Sequence, residues 1–214
     1  MTFRDRIDAG RQLAAKLKRY QQQKNTLILA LPRGGVPVGF EVAQTLHLPL
    51  DIFLVRKLGV PGQEELAMGA IAMGDVEVLN ENIVQQLGIS REIIDEIKQQ
   101  QLKVLQHRNL LYRENRPFPS LKKQTVILID DGIATGATIR AAIVAIKKLG
   151  CEKLIIATPV APADTYHELK NQVDEIYCLQ IPEPFYAIGN WYQDFSQTTD
   201  DEVRNLLARS KHAH

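Results

Sequence analysis

The stretch Val126–Thr138, VILIDDGIATGAT, constrains this chain more than any other part of it. Four consecutive aliphatic residues, Val126 to Ile129, leave no polar alternation and predict a central strand of a parallel sheet, covered on both faces. The run stops at two acids, Asp130 and Asp131, crosses a loop of small residues and enters Ile139–Ile146, whose apolar spacing is helical. A strand that feeds a helix through such a loop brings unpaired backbone N–H groups, and the positive end of the helix dipole, within reach of an anion. Gly136 and Ala137 permit close approach, and Thr135 and Thr138 add hydroxyl donors, so the loop predicts a phosphate cradle. The acids argue against a nucleoside-triphosphate loop. No Lys-Ser or Lys-Thr pair is present, and two carboxylates would repel a triphosphate unless metal intervened. Carboxylates are good acceptors for vicinal hydroxyls, so a phosphate with a diol beside it, a ribose 5-phosphate, fits the whole motif. A plain βα turn capped by Asp130 or Asp131 would account for a lone acid, but not for the pair together with the loop.

Residues 126–138 resemble the 5-phosphoribosyl-1-pyrophosphate (PRPP) binding motif of type I phosphoribosyltransferases. The resemblance implies that Asp130 and Asp131 hold the ribose hydroxyls and that Ala134, Thr135, Gly136, Ala137 and Thr138 hold the 5-phosphate. Earlier in the chain, Thr26–Leu31 reads as a first buried strand, ending in Pro32-Arg33-Gly34-Gly35 before a helix to about Leu46. Ligands of open α/β sheets bind at the carboxyl ends of strands, so the two loops can share one crevice. Gly34 and Gly35 allow a ligand close to the backbone, and Arg33 offers a planar fork for phosphate oxygens. This loop is similar to the pyrophosphate loop of the same family, most closely the Ser-Arg-Gly-Gly loop of bacterial xanthine–guanine phosphoribosyltransferases.

Leu50–Val55 predicts the second strand, with Arg56 and Lys57 at its carboxyl end, well placed for pyrophosphate and similar to the pair in adenine and orotate phosphoribosyltransferases. The glycine- and proline-bearing segment 58–65 reads as mobile, and 66–72 with 76–79 as a hairpin. The resemblance implies a flexible loop here that closes over the reacting centre and keeps water from the activated sugar. Ser90 can cap a long helix to about Asn115, with acids near its start and arginines near its end, as the helix dipole favours. It reads as a packing helix or dimer contact, with no chemistry assigned. Strands at 153–158 and 175–179 flank a helix at 163–171, completing a βαβαβ alternation. The expected fold is α/β: a doubly wound, mainly parallel sheet in one domain (1–214), with a core over about 25–180. A small hood is expected from residues 1–20 and 181–214. The hood would contain an amphipathic N-terminal helix with Phe3, Ile7, Ala14 and Leu17 inward and its arginines largely solvated. The aromatic-rich tail around Phe185 and Trp191 either packs the tail down or makes a stacking surface for a planar ligand; the resemblance implies that it supplies the base pocket, with these two as base-binding candidates.

The formal net charge of +1 gives no electrostatic case for nucleic acid or membrane, so neither DNA nor a bilayer is an expected partner. Two cysteines, Cys151 and Cys178, indicate neither a disulfide framework nor a zinc site, and a reducing cytoplasm is the expected location. The family resemblance implies transfer of a phosphoribosyl group from PRPP to a small nitrogen-containing acceptor with release of pyrophosphate, in a homodimer. Mg²⁺ would be held through PRPP, with Asp130 and Asp131 as candidate protein contacts. One position departs from the 6-oxopurine enzymes, which carry an Asp just before Thr-Gly to handle the ring proton. Here it is Ala134, as in enzymes that carry a small residue there, so the acceptor stays open and no general base is nominated. A regulator that binds PRPP or a nucleotide without turnover is the rival reading. A sugar-phosphate isomerase or phosphatase would leave Arg33-Gly34-Gly35 and Arg56-Lys57 unexplained.

Overall fold

A five-stranded parallel sheet lies at the centre of the computed structural model, which describes residues 2–211. The chain begins with α1 (Arg6–Lys16), β1 (Thr26–Ala30), α2 (Gly35–Leu46) and β2 (Leu50–Ile52). It then leaves the sheet for three antiparallel strands, β3 (Val55–Val60), β4 (Gln63–Ala72) and β5 (Val76–Leu79), and two helices, α3 (Glu81–Gln86) and α4 (Arg91–Arg113). It returns through β6 (Thr125–Ile129), α5 (Ala137–Lys148), β7 (Lys153–Val160), α6 (Ala163–Lys170) and β8 (Glu175–Gln180), and finishes in α7 (Asp200–Lys211). The strand order is β2-β1-β6-β7-β8, so the chain steps outward from β1 in both directions. The β1/β6 boundary is therefore the topological switch point, where a crevice opens beyond the strand ends.

Val126 to Ile129 are all fully buried, because helices cover both faces of the strand. Val126 and Leu128 enter a core shared with Ile139, Ala142 and Ile143 of α5 and with Ile94 and Leu105 of α4. Ile127 and Ile129 enter a second core beneath Leu13 and Leu17 and beneath Val38, Val42 and Leu46 of α2. Each such aliphatic side chain contributes about 1.5–3 kcal/mol on leaving water. Helix α1 starts at Asp5, whose Oδ1 accepts from the Asp8 N–H at 2.7 Å. It buries Ala9, Gly10, Leu13 and Ala14. A Cβ on Gly10 would stand 2.7 Å from Glu41 Cβ and 2.9 Å from the Val38 carbonyl, so this glycine sets how closely α1 approaches α2. Ile7 lies off the buried face and is 42% exposed, contrary to the expected stripe.

Two expectations need correction. The apolar run 50–55 is not one strand. β2 ends at Ile52, and after Phe53, whose N–H donates to Ala30, the chain turns away to pair Val55 with Ala72. Arg56 and Lys57 therefore belong to the antiparallel sheet, not to the end of a central strand. The segment 58–65 lies within the β3/β4 pairing, turning at Pro61-Gly62. Two helices, α3 and α7, were not expected. The long helix was: the Ser90 hydroxyl accepts from the Ile93 N–H at 3.4 Å, and Glu114 ends the helix in the left-handed conformation at φ 53°.

Helix α4 is fastened at its C-terminal end. Arg113 is 2% exposed, and its Nε and Nη2 each donate to one Asp51 oxygen at 2.9 Å. Its remaining donors reach the carbonyls of Arg116 and Pro117 at 2.7 and 3.1 Å. A buried guanidinium needs such full satisfaction to be tolerated. Among the described residues, no helix is long and apolar enough to cross a membrane.

Candidate active site

Because Ala30 pairs with Ile129 at the last rung of the β1/β6 ladder, the loops after the two strands start at the same level. The Leu31 N–H donates to the Ile129 carbonyl at 2.9 Å, continuing the ladder one residue further. Arg33 follows through a cis peptide after Pro32. Gly34 and Gly35 then pass directly against the acids. A Cβ on Gly34 would stand 1.9 Å from Asp131 Oδ2, and one on Gly35 would stand 2.8 Å from the Ile129 carbonyl. No side chain fits at either place. The two loops predicted to share a crevice are in contact.

Asp130 and Asp131 have different surroundings. Asp130 accepts from the Asp131 N–H at 2.9 Å and faces the crevice. Burial, and then the neighbouring Asp131 carboxylate, push its carboxyl well above the usual carboxylate range. Asp131 is fixed from the hood. Arg6 Nε donates to its Oδ2 at 2.8 Å, and the Tyr192 hydroxyl donates to its backbone carbonyl at 2.6 Å. Burial, reinforced by Asp131, raises the Tyr192 phenol and keeps it a donor. The Arg6 guanidinium lies over the Phe195 ring, 4.1 Å from its centroid, and donates to the Ser196 carbonyl at 2.7 Å. Nothing local to Arg6 marks it in the sequence. Its role follows from the N-terminal segment pairing with the tail: Phe3 donates to the Trp191 carbonyl, and Gln193 donates to the Phe3 carbonyl, both at 2.8 Å.

The loop between β6 and α5 borders a cavity of about 190 Å³ over residues 130 and 132–139, closed on the tail side by Ile188. Gly136 caps α5 at φ +76°, a left-handed conformation that a side chain would strain. Ala134, Thr135 and Thr138 are exposed, while Gly136 is buried. The Thr165 hydroxyl donates to the Ala134 carbonyl at 3.0 Å and Arg140 Nη1 donates to the Thr135 carbonyl at 2.5 Å, holding the loop from behind. The Ala137 N–H is 3.4 Å from Thr135 Oγ1.

A second cavity, of about 520 Å³, adjoins the first at Thr138 and is lined by Pro32, Arg56 and Lys57. Arg33 lies 3.7 Å from Asp200 of α7, which also accepts from the Tyr112 hydroxyl at 2.5 Å. Burial and this carboxylate push the Tyr112 phenol up to about 12. From the tail, Ile188 rather than an aromatic ring covers the loop: a Cβ on Gly132 would stand 2.4 Å from Ile188 Cγ2. Trp191 packs with Phe3 and Tyr192, and its buried indole N–H has no acceptor among the described residues. Phe185 is half-buried and Tyr186 is 80% exposed. Sequence reading also passed over Tyr192's bond, Asp200 and the inward face of α4.

The parallel sheet, its switch-point crevice and a glycine-bearing loop behind two acids define a doubly wound α/β protein with its candidate site at the carboxyl ends of β1 and β6. The family model "Phosphoribosyl transferase domain" matches residues 70–190, and the chain belongs to that family, with the type I architecture. It is 44% identical over 208 residues to a Mycobacterium tuberculosis protein named "Putative phosphoribosyl transferase Rv0571c", covering 97% of this chain and 47% of that one. The chain thus spans about half the length of the curated relatives it matches. The crystal structure of TT1426 from Thermus thermophilus superposes with a TM-score of 0.89 at 37% identity, over 98% of this chain and 99% of that one. A hypoxanthine-guanine phosphoribosyltransferase from Bacillus anthracis shares the fold at a TM-score of 0.51 and 12% identity, over 91% of this chain and 93% of that one.

Proposed function

We propose that this chain transfers the 5-phosphoribosyl group of PRPP to a nitrogen acceptor and releases pyrophosphate. One observation supports the reading above the others. The Arg33-Gly34-Gly35 loop is packed against Asp131 so closely that a Cβ on Gly34 would overlap the carboxylate, joining a diol-binding acid pair to a loop suited to pyrophosphate. In the reaction the C1′–O bond to pyrophosphate breaks as the C1′–N bond forms, through an oxocarbenium-like state. The protein then acts by positioning and by stabilising charge. The acids accept from the ribose hydroxyls, residues 134–138 hold the 5-phosphate, and Arg33, Arg56 and Lys57 face the departing pyrophosphate. Ala134 offers no proton acceptor, so an acceptor that must lose a ring proton next to it gains no help there.

Mg²⁺ fits this donor set in a limited way. No group of three or more His, Cys, Asp or Glu is gathered for a metal among the described residues, and Asp131 Oδ2 is engaged by Arg6. Asp130 is the carboxylate open to the crevice, so oxygens of the ligand and water would supply most contacts, as this hard ion accepts. When bound it would neutralise pyrophosphate charge.

The test is pyrophosphate release from PRPP with Mg²⁺ across a panel of nucleobases and small amines. Release with at least one acceptor is expected, with 6-oxopurines slower than adenine or a non-purine amine. No release from any acceptor, alongside tight PRPP binding, would favour a regulator; brisk turnover of hypoxanthine or guanine would overturn the role given to Ala134.

A further inference from the structure

Two side chains carry the tail's hold on the acid pair. Tyr192 donates to the Asp131 backbone carbonyl at 2.6 Å, which fixes the main chain but not the carboxylate. Arg6 fixes the carboxylate. Its Nε donates to Asp131 Oδ2 at 2.8 Å, its Nη1 donates to the Ser196 carbonyl at 2.7 Å, and its Cζ lies over the Phe195 ring, 4.1 Å from the centroid. A planar guanidinium suits all three contacts, two hydrogen bonds from its edge and a ring against its face. Phe195 is seated in turn on Tyr192, with ring centroids 4.9 Å apart. Restraining a long side chain this fully costs rotamer entropy, and helix α1 already packs through Ala9, Gly10, Leu13 and Ala14 without Arg6. The carboxylate is divided as a result. Oδ2 is enclosed between Arg6 and Gly34, where a Cβ would stand 1.9 Å away, while Oδ1 accepts no hydrogen bond among the described residues and is not sealed from solvent. A carboxylate tied at one oxygen cannot turn freely, so the other keeps one bearing.

We propose that Arg6 and Phe195 are positioning residues for the sugar. Phe195 holds Arg6, Arg6 holds Asp131 Oδ2, and Oδ1 is thereby presented to a hydroxyl of the sugar phosphate. The aromatic tail then acts on the sugar through this chain of contacts, in addition to any part it has in stacking on an acceptor. The ligand's identity rests on the phosphoribosyl reading; the relay itself rests on the three contacts of Arg6. Charge supports the same division of labour. Two adjacent carboxylates repel an anionic sugar phosphate, and Arg6 compensates one of them without lining the cavity at the loop after β6.

Titration calorimetry of the full chain with ribose 5-phosphate, and separately with inorganic pyrophosphate, tests this in wild type, Arg6→Ala, Arg6→Lys, Phe195→Leu, Asp131→Asn and the double variant of Arg6→Ala with Asp131→Asn. Ribose 5-phosphate affinity should fall by about tenfold in Arg6→Ala, recover in part in Arg6→Lys, and fall by about threefold in Phe195→Leu, which keeps apolar packing but loses the ring under the guanidinium. The coupling decides the matter. In the Asp131→Asn background, Arg6→Ala should cost less than about twofold, because its effect passes through that carboxylate. Pyrophosphate affinity should stay nearly constant across the set. A merely structural Arg6 would lower both affinities alike and add its loss to that of Asp131→Asn, and that result would overturn the proposal. Where Arg6→Ala fails to fold, Arg6→Lys and Phe195→Leu carry the same cycle against Asp131→Asn. Ribose 5-phosphate binding by wild type that Arg6→Ala leaves unchanged would overturn the proposal alone. No binding of ribose 5-phosphate by wild type would sink the phosphoribosyl reading, and the proposal with it.

Discussion

Arg6 Nε stands 2.8 Å from Asp131 Oδ2, with both side chains 12% exposed, so the first helix reaches into the acid pair at the end of the central strand. The contact leaves Asp131 aligned and charge-compensated while Asp130, one residue earlier, faces the crevice with its ionisation disfavoured. Asp131→Asn should weaken PRPP and ribose 5-phosphate binding by about 1.5–3 kcal/mol, the worth of a hydrogen bond to a charged group, or roughly 10- to 150-fold. Calorimetry on the folded variant checks it; wild-type affinity would remove the ribose assignment.

Asp130 should make stability fall as pH rises. Its folded carboxyl titrates above the ordinary value of 3.8, so the folded state binds the proton more tightly than the unfolded state does. The cost is absent below the ordinary value and grows until pH passes the raised one. Asp130→Asn should therefore melt higher than wild type at neutral pH and nearly level with it near pH 3.5. Each 1 kcal/mol recovered appears as roughly 2–4 °C. Melting curves across that window decide it, and a neutral-pH loss of stability would mean that the carboxylate is favoured where it sits.

Gly34→Ala is expected to be far more damaging than one methyl group suggests. Its Cβ would fall 1.9 Å from Asp131 Oδ2, so the acid or the loop must move. PRPP binding should drop by more than tenfold. Binding like that of wild type would show that the loops separate freely.

Removing Arg113 should cost stability rather than chemistry. Arg113→Ala strands Asp51 at the edge of the core and should destabilise by about 3–5 kcal/mol. The double variant Arg113→Met with Asp51→Leu should recover much of that, because replacing both charges removes the unpaired one. Denaturant titration of the three variants measures the coupling; additive losses would mean that the pair contributes nothing.

Arg33→Ala and Lys57→Ala should lower PRPP turnover far more than affinity for the nucleotide product, which lacks pyrophosphate. Equal losses in the two measurements would place these side chains elsewhere on the ligand.

The strand–loop–helix half of the candidate site was legible as structure because its information is local. Val126–Ile129 can only be a covered strand, and 130–138 carries acids, glycine and threonines in one unbroken run. The alternation of β6, β7 and β8 with α5 and α6 follows from the same kind of reading. What escaped depends on distant partners. Leu50–Val55 is uniformly suited to extended structure, and only the pairing of Val55 with Ala72 reveals that the chain has changed sheets. Arg6 has the surroundings of any solvated helix arginine, until Phe3 pairs with the tail and carries it to Asp131. Helix α7 opens with three consecutive acids, Asp200 to Glu202, and its apolar contribution narrows to residues such as Val203 and Leu207, too sparse a pattern to stand out.

The pinning of α4 by Arg113 turns that helix into a screw with one end clamped. Each residue advances about 1.5 Å and turns about 100°. Gln101, Arg108 and Tyr112 keep their bearings on Arg56, the cavity and Asp200 through their count back from the clamp. Deleting one residue between Arg108 and Tyr112 would swing both Gln101 and Arg108 about a quarter-turn away from β3 without altering any side chain. Substitutions along the outer face should therefore pass almost unnoticed, whereas a change of length by a single codon should not.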